Sequence, residues 1–516
     1  MGDLLAAIIR PPLDPIKVIF LVPPAVLLLL SLICALYSLA LFLLVDMDKG
    51  LPTVPGRHFL LGHMHLIGKT DQFANRLAEW SKSLKVPAFT FYLPGFSRRY
   101  VTLTSLEAIA EVHRLRPFKV VRAQAVLGDI APGLFAAEGG TWRSERKIIS
   151  PAFNHSNVSS FLPAVRATAL RLSAQLRRAG PGPVPINAVC KRFAADVTAM
   201  AAFGEDFGSI EKESRETEDL AAALAIVFYR QHAGPFKYWK VPIFRDLLSH
   251  YRWEKDTLDR LDVLVGGIVD DFQKDPTRAK RAGTILSKMV ELNTTEGEEG
   301  RMSRRRLIGN VITLFVAGTD TTSITITWMI YFISLDADLQ DRLRAEAFAF
   351  DFEALQSGGE RMDAVLRNLP VMHAVVLETL RTRGSVGQIA FMASEKVRAV
   401  GREWEPNTKF MCLYDYAMTE GEDAEKVFGP NPGKFDVERW LGPEDRMKKA
   451  SKLLSFGNGA RICPGRDLAK IEAVVAVSTM LKEFKSLRLE PGHAKVERVQ
   501  QATIAPSTDI RVIFED

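Results

Sequence analysis

Phe456-Gly457-Asn458-Gly459-Ala460-Arg461-Ile462-Cys463-Pro464-Gly465 places three glycines and a proline in ten residues, a composition that forces a tight turn rather than a regular element. Leu468, Ile471, Val474 and Val475 follow at helical spacing, so a turn running directly into a helix is expected. Cys463 then sits at a helix N-terminus, with Arg461 two residues before it. Both surroundings favour the thiolate, the form of cysteine that binds a metal. Pro464 suits the first helical position, where its missing N–H costs nothing. Cys34, Cys190 and Cys412 have no such neighbours and no zinc-type spacing; they read as small buried hydrophobes, not as a disulfide framework.

Outward from this turn the signal is mainly helical. Leu162–Leu176, Leu220–Tyr229, Thr257–Phe272 and Leu468–Phe484 carry apolar residues three and four apart,. Strand-like pieces are short and scattered: Ala88–Tyr92, Tyr100–Leu103, Lys409–Leu413 and Ile510–Phe514. One large, mainly α domain with a minor β portion is expected over residues 58–516. Its longest helix should run from Arg304 to Leu335, capped by Ser303. Asp320 is the sole charge between Leu307 and Leu335. An acid at that depth, among Gly318 and Thr319-Asp320-Thr321-Thr322, argues for a helix buried in protein rather than in lipid. Arg304-Arg305-Arg306 oppose the helix macrodipole and read as a solvated surface.

The amino terminus is different. After a short segment, residues 1–17, Val18 to Val45 is a run of 28 residues without a charge, long enough to cross a bilayer as a helix. Arg10 and Lys17 before it balance Lys49 and Arg57 after it, so charge does not set its orientation. Residues 46–57, with Leu51-Pro52-Thr53-Val54-Pro55-Gly56, read as a Pro-rich linker. The 516 residues are 47% hydrophobic and 25% charged, which excludes disorder and a collagen-like fibre. A net charge of +6 over this length gives no field for a nucleic acid. Arg446 to Lys470 holds seven basic residues against Asp467 alone and so carries that whole net charge.

The pattern Phe-x-x-Gly-x-Arg-x-Cys-x-Gly resembles the haem-binding loop of the cytochrome P-450 superfamily. The resemblance implies haem b as cofactor, Cys463 as axial iron ligand, and Phe456 and Arg461 against the cofactor. Glu378-Thr379-Leu380-Arg381 is similar to the family's buried Glu-x-x-Arg, with Arg439 in Phe435–Trp440 as its third, structural member. Ala317-Gly318-Thr319-Asp320-Thr321-Thr322 resembles the distal helix motif. Small Ala317 and Gly318 would let the helix approach the haem, while Thr321 loosens the helix by bonding a backbone carbonyl and relays protons with Asp320. Trp142 and Arg146 resemble the Trp-x-x-x-Arg pair on a haem propionate. The anchor and hinge match microsomal members, which implies a single-pass protein of the endoplasmic reticulum facing the cytosol. Asn154, Asn157 and Asn293 would then be unused glycosylation sequons.

The activity implied is hydroxylation of an apolar substrate with dioxygen and electrons from an NADPH-dependent flavoprotein reductase, with cytochrome b5 a further possible donor. The basic stretch around Cys463 would be the docking face for an acidic redox partner. Tyr416-Ala417-Met418 and Phe435–Leu441 resemble the fatty-acid hydroxylase branch, so a fatty acid or other lipid is the substrate expected. A hydroperoxide-rearranging member and a non-enzymatic membrane-tethered haem protein are the alternatives. Three departures stand out. Gly384-Ser385 replace paired prolines, and Phe391-Met392 occupy the place of an arginine for the second propionate. Asn407 stands for a turn glycine, since asparagine tolerates left-handed geometry. His58, His63 and His65 lie in a stretch that the family packs near the membrane and carry no metal reading; His373 reads as a core or surface histidine.

Overall fold

The computed structural model describes residues 28–29, 31–33, 35–36 and 50–516, apart from 60, 68–71, 94–98, 123–129, 213–214, 216–217, 220–221, 224–225, 227–248, 276–282, 296, 298–299, 357–360, 443–445, 494 and 501–502. Most of the expected anchor at 18–45 and most of the helix expected at 220–229 lie outside the described residues.

The helices that position the site are α1 (Leu106–Arg114), α2 (Gly139–Ile149), α3 (Leu162–Arg178), α4 (Ile186–Phe203), α5 (Ser249–Lys274), α6 (Arg304–Ser334), α7 (Ala337–Ala349), α8 (Pro370–Thr382) and α9 (Arg466–Glu483). The long apolar α6 is the axis of the molecule and packs against α4, α5, α8 and α9. About 72% of its most apolar window is buried inside the protein, so it is a core helix, as its mid-helix acid requires. Ser303 caps it by accepting the Arg306 N–H at 3.4 Å. Arg304 and Arg305 at its start are exposed, as expected of a surface, but two of the three cations there are also paired. Arg304 pairs with Asp270 of α5 at 2.6 Å, and Arg306 pairs with the buried Glu145 of α2. These acids offset the charge that the helix start disfavours.

The strands in chain order are β1 (Ala88–Tyr92), β2 (Arg99–Leu103), β3 (Val120–Arg122), β4 (Val184–Pro185), β5 (Gln388–Ala393), β6 (Val397–Ala399), β7 (Arg402–Trp404), β8 (Lys409–Leu413), β9 (Ser486–Leu489), β10 (Arg498–Gln500), β11 (Ile504–Pro506) and β12 (Arg511–Glu515). The main sheet has the order β1-β2-β8-β5-β3. Its β2–β8 pair is parallel, and the others are antiparallel. Asn407 enters β8 at φ 69°, the left-handed geometry expected of it. The stretch read as a linker is partly built into the body. Thr90 donates its N–H to Pro52 O at 2.8 Å, and Val54 donates its own to Thr90 O at 3.0 Å. Val54 is buried with Phe89, Phe91 and Tyr100. His63 Nε2 donates to Val54 O at 2.8 Å and its Nδ1 accepts the Tyr92 N–H at 2.9 Å, which ties this edge together.

Candidate functional site

Gly457 and Gly459 both hold φ at +69°, where a side chain is strained. They let the turn fold back so that the Cys463 N–H reaches Phe456 O at 2.9 Å and the Gly457 N–H reaches Leu454 O at 2.7 Å. α9 begins at Arg466 with Gly465 as its N-cap, so Pro464 lies just outside the helix, not at its first position. Burial pushes the Cys463 thiol up. The Gly465 N–H and the guanidiniums of Arg146 and Arg466 pull it the other way. Arg461 is not among these cations. Its side chain pairs with Glu138 and donates to Ala137 O at 2.6 Å and Leu134 O at 3.3 Å. Its guanidinium lies 4.6 Å from the centre of the Trp142 ring. Trp142 and Arg146 share α2, and they act on the cysteine turn at different points, Trp142 under the Arg461 guanidinium and Arg146 through its charge on the Cys463 thiol.

Ala317 and Thr321 are four apart on α6 and so share a face. Ala317 is exposed although its helix is mostly buried, and the Thr321 hydroxyl donates to Ala317 O at 2.7 Å. That is the side chain competition expected of a threonine in a helix, yet α6 stays continuous through it. Gly318 is turned elsewhere. A Cβ there would lie 3.1 Å from the Thr198 hydroxyl of α4, so its small size serves the crossing of two helices. Asp320 also leans to that side. It accepts the Thr503 hydroxyl at 2.5 Å and lies 3.8 Å from Lys191 of α4.

Glu378 on α8 is fully buried and organises the turn from behind. It accepts from Arg381 Nε and Nη2 at 2.8 and 2.7 Å, from Arg439 Nε at 3.2 Å, from Trp440 Nε1 at 2.9 Å and from the Asp436 N–H at 2.9 Å. The two arginines then donate to backbone carbonyls of Met418, Phe428, Pro430, Asn431, Pro432 and Lys434. Ser455, at the start of the cysteine turn, donates to Leu380 O of the same helix at 2.6 Å. A buried carboxylate is tolerable here because every charge meets a partner. His373, on the same helix, pairs with Arg446; burial and that cation hold it near 3, neutral at physiological pH.

Sequence reasoning gave no role to Trp440, although it adjoins Arg439 in the quoted segment. It missed Glu138, Lys191 and Thr503, which carry no local signal because each reaches the site from a distant segment.

The cytochrome P450 family model matches residues 52–511. The chain is 24% identical over 494 residues to the cytochrome P450 monooxygenase sphH of Aspergillus fumigatus, with 90% of this chain and 88% of the relative covered. It is 23% identical over 480 residues to 3,9-dihydroxypterocarpan 6A-monooxygenase of Glycine max, with 88% and 91% covered. Its fold is similar to the crystal structure of a cytochrome P450, with a TM-score of 0.73 at 20% identity, covering 91% of this chain and 100% of that one. Since the match runs almost unbroken from the first sheet edge to the last strand, the chain belongs to the cytochrome P450 family: it is an oxidoreductase, a haem-thiolate monooxygenase whose cofactor is haem b.

Proposed function

We propose that this chain is a membrane-anchored hydroxylase of an apolar substrate, a fatty acid or another lipid, with Cys463 as the iron ligand. The observation that carries the reading is the cysteine turn, which sets a sulfur at the head of α9 between Arg146, Arg466 and the Gly465 N–H. The residues fit haem b: the sulfur suits iron, and Arg461, buried with its Nε lacking an acceptor, suits a carboxylate beside Trp142 and Phe456. Haem b bound there supplies dioxygen activation, and a thiolate ligand favours cleavage of the O–O bond. Arg146 and Arg466 stabilise the thiolate. On the distal side Ala317 leaves room, Thr321 holds a hydroxyl between the helix backbone and the site, and Asp320, held by Thr503 and Lys191, is its partner in proton delivery. Gly318 acts through the α4–α6 crossing. Glu378, Arg381 and Arg439 keep the cysteine turn in shape.

Leu28, Leu29, Leu32, Ile33 and Leu36 are helical and exposed, which supports a membrane anchor, and likeness of the anchor and hinge to microsomal members supports the endoplasmic reticulum. The catalytic domain then faces the cytosol and takes electrons from an NADPH-dependent flavoprotein reductase, with cytochrome b5 as a second donor. Likeness of Tyr416–Met418 and Phe435–Leu441 to fatty-acid hydroxylases supports the lipid substrate. Reduction under carbon monoxide tests the ligand: the red-shifted Soret band of thiolate-ligated haem is expected, and it should vanish in Cys463→Ser. An imidazole-type band, or a variant that keeps the shifted one, overturns the assignment. A spin-state titration with a lipid panel, followed by product analysis, tests the substrate class.

A further inference from the structure

Among the described residues, one face of the main sheet holds more positive charge than the acids around it answer. Arg116, just beyond α1, Arg122 at the end of β3 and Arg461 of the cysteine turn converge on a single carboxylate, Glu138. Arg461 pairs with it, Arg116 Nη2 lies 3.9 Å from it, and the Arg122 backbone N–H donates to it at 3.1 Å. The side chains of Arg116 and Arg461 are only 6% and 5% exposed. Even so, Nε and Nη2 of Arg116, Nε of Arg122 and Nε of Arg461 are buried with no acceptor among the described residues. His113, beside them, bonds the Tyr414 hydroxyl at 2.8 Å. Burial, Arg116 and Arg122 hold it near 4, so it adds no charge at neutral pH. Burial and mutual repulsion also bring Arg122 down to about 9 and Arg461 to about 10.

Among the described residues, three guanidiniums against one carboxylate leave two positive charges. A buried surplus of that kind is costly unless a ligand neutralises it, and orphaned guanidinium N–H groups are strong carboxylate donors. Haem b carries two carboxylates. The strand position where an arginine for the second of them was expected is Phe391, which is fully buried. In the β3–β5 register Phe391 stands directly opposite Arg122. The Arg116 guanidinium carbon lies 4.2 Å from the centre of the Phe391 ring. A guanidinium from another segment thus rests on the very side chain that displaced the strand arginine.

We propose that Arg116, laid on Phe391 and flanked by Arg122, binds the second haem carboxylate in place of an arginine at position 391. Phe391 is then a platform that fixes the guanidinium by stacking, a positioning residue rather than a ligand. The inference rests on the haem assignment above and deepens it.

The test uses full-length holoprotein and follows haem transfer to excess apomyoglobin. Arg116→Met keeps the apolar stem on Phe391 but removes the donors, and it should release haem about ten- to a hundredfold faster, the loss of one charged hydrogen-bond pair. Adding Phe391→Arg to that variant should restore slow release. Reconstitution gives a second measure that needs no swap. Wild type should prefer haem b over its dimethyl ester, and Arg116→Met should lose much of that preference. Release at the wild-type rate, or an unchanged preference for the free acid, overturns the proposal. If wild type lacks the shifted carbon monoxide band, the haem-thiolate reading itself fails. If the band is present and Arg116→Met is silent, only the carboxylate assignment fails.

Discussion

Glycines in the cysteine turn are not equivalent. A Cβ on Gly457 would find its nearest neighbour 3.9 Å away, so the only penalty is its left-handed backbone, φ +69°. Gly457→Ala should cost about 1–2 kcal/mol. Gly465 has φ −82° and ordinary contact with Phe153 at 3.7 Å, so Gly465→Ala should be close to neutral. Thermal melts of the two variants check this, and equal losses would contradict it. Glu472 on α9 is a second residue-scale case. It is buried, its Oε2 has no partner among the described residues, and burial alone lifts it to about 8. An acid raised on folding stabilises the folded state below its unfolded value near 4.5, and that contribution is lost as pH climbs to 8,. Glu472→Gln should therefore raise the melting temperature most at pH 8–9, with a gain that shrinks towards pH 5. A gain independent of pH would refute the assignment.

Between elements, the Glu378 web joins α8 to residues 428–440 and, through Ser455 on Leu380, to the cysteine turn. Its two arginines bind more carbonyls than carboxylate oxygens, so Glu378 is what keeps both charges tolerable at that depth. Glu378→Gln should cost about 3–5 kcal/mol, the usual penalty for breaking a buried pair from one side. Denaturant melts together with the haem-to-protein ratio measure it, and both should fall. A variant that melts like wild type would show that Arg439 and Trp440 hold the turn without the acid.

Across the whole molecule, folding redistributes the charge that the sequence concentrates between Arg446 and Lys470. Arg461 turns inward to Glu138, and Arg446 goes to His373. Lys470 pairs with Asp467 at 2.8 Å. Lys448, Lys452 and Arg466 stay exposed, leaving a smaller positive patch than the composition suggests. Lys448→Glu with Lys452→Glu should slow reduction by the flavoprotein reductase several-fold and flatten its salt dependence, while the carbon monoxide spectrum stays unchanged. Stopped-flow reduction at rising ionic strength checks this. Wild-type rates insensitive to salt would remove the patch from the encounter.

Much of this was legible in neighbouring residues. The Gly-rich turn, the three-residue spacing of Glu378 and Arg381, the Ser303 cap and left-handed Asn407 are all local chemistry, and the predicted α6, β1 and β8 fall within a residue of the observed elements. What local chemistry cannot say is which distant groups meet. Arg461, two residues from Cys463, looked like its partner, but the turn sends it to Glu138 and delivers Arg146 from α2 and Arg466 from the first turn of α9. Gly318 looked like part of the distal motif, but the α4–α6 crossing claims it. The missing arginine at 391 looked like a gap, until the β3–β5 register set Arg122 opposite it and packing laid Arg116 on its ring. The sequence by itself determined the helices and the turn that presents Cys463, because each depends on short-range backbone and solvation preferences. Only the tertiary structure decided which charges share a buried site, because that depends on segments brought together by the core.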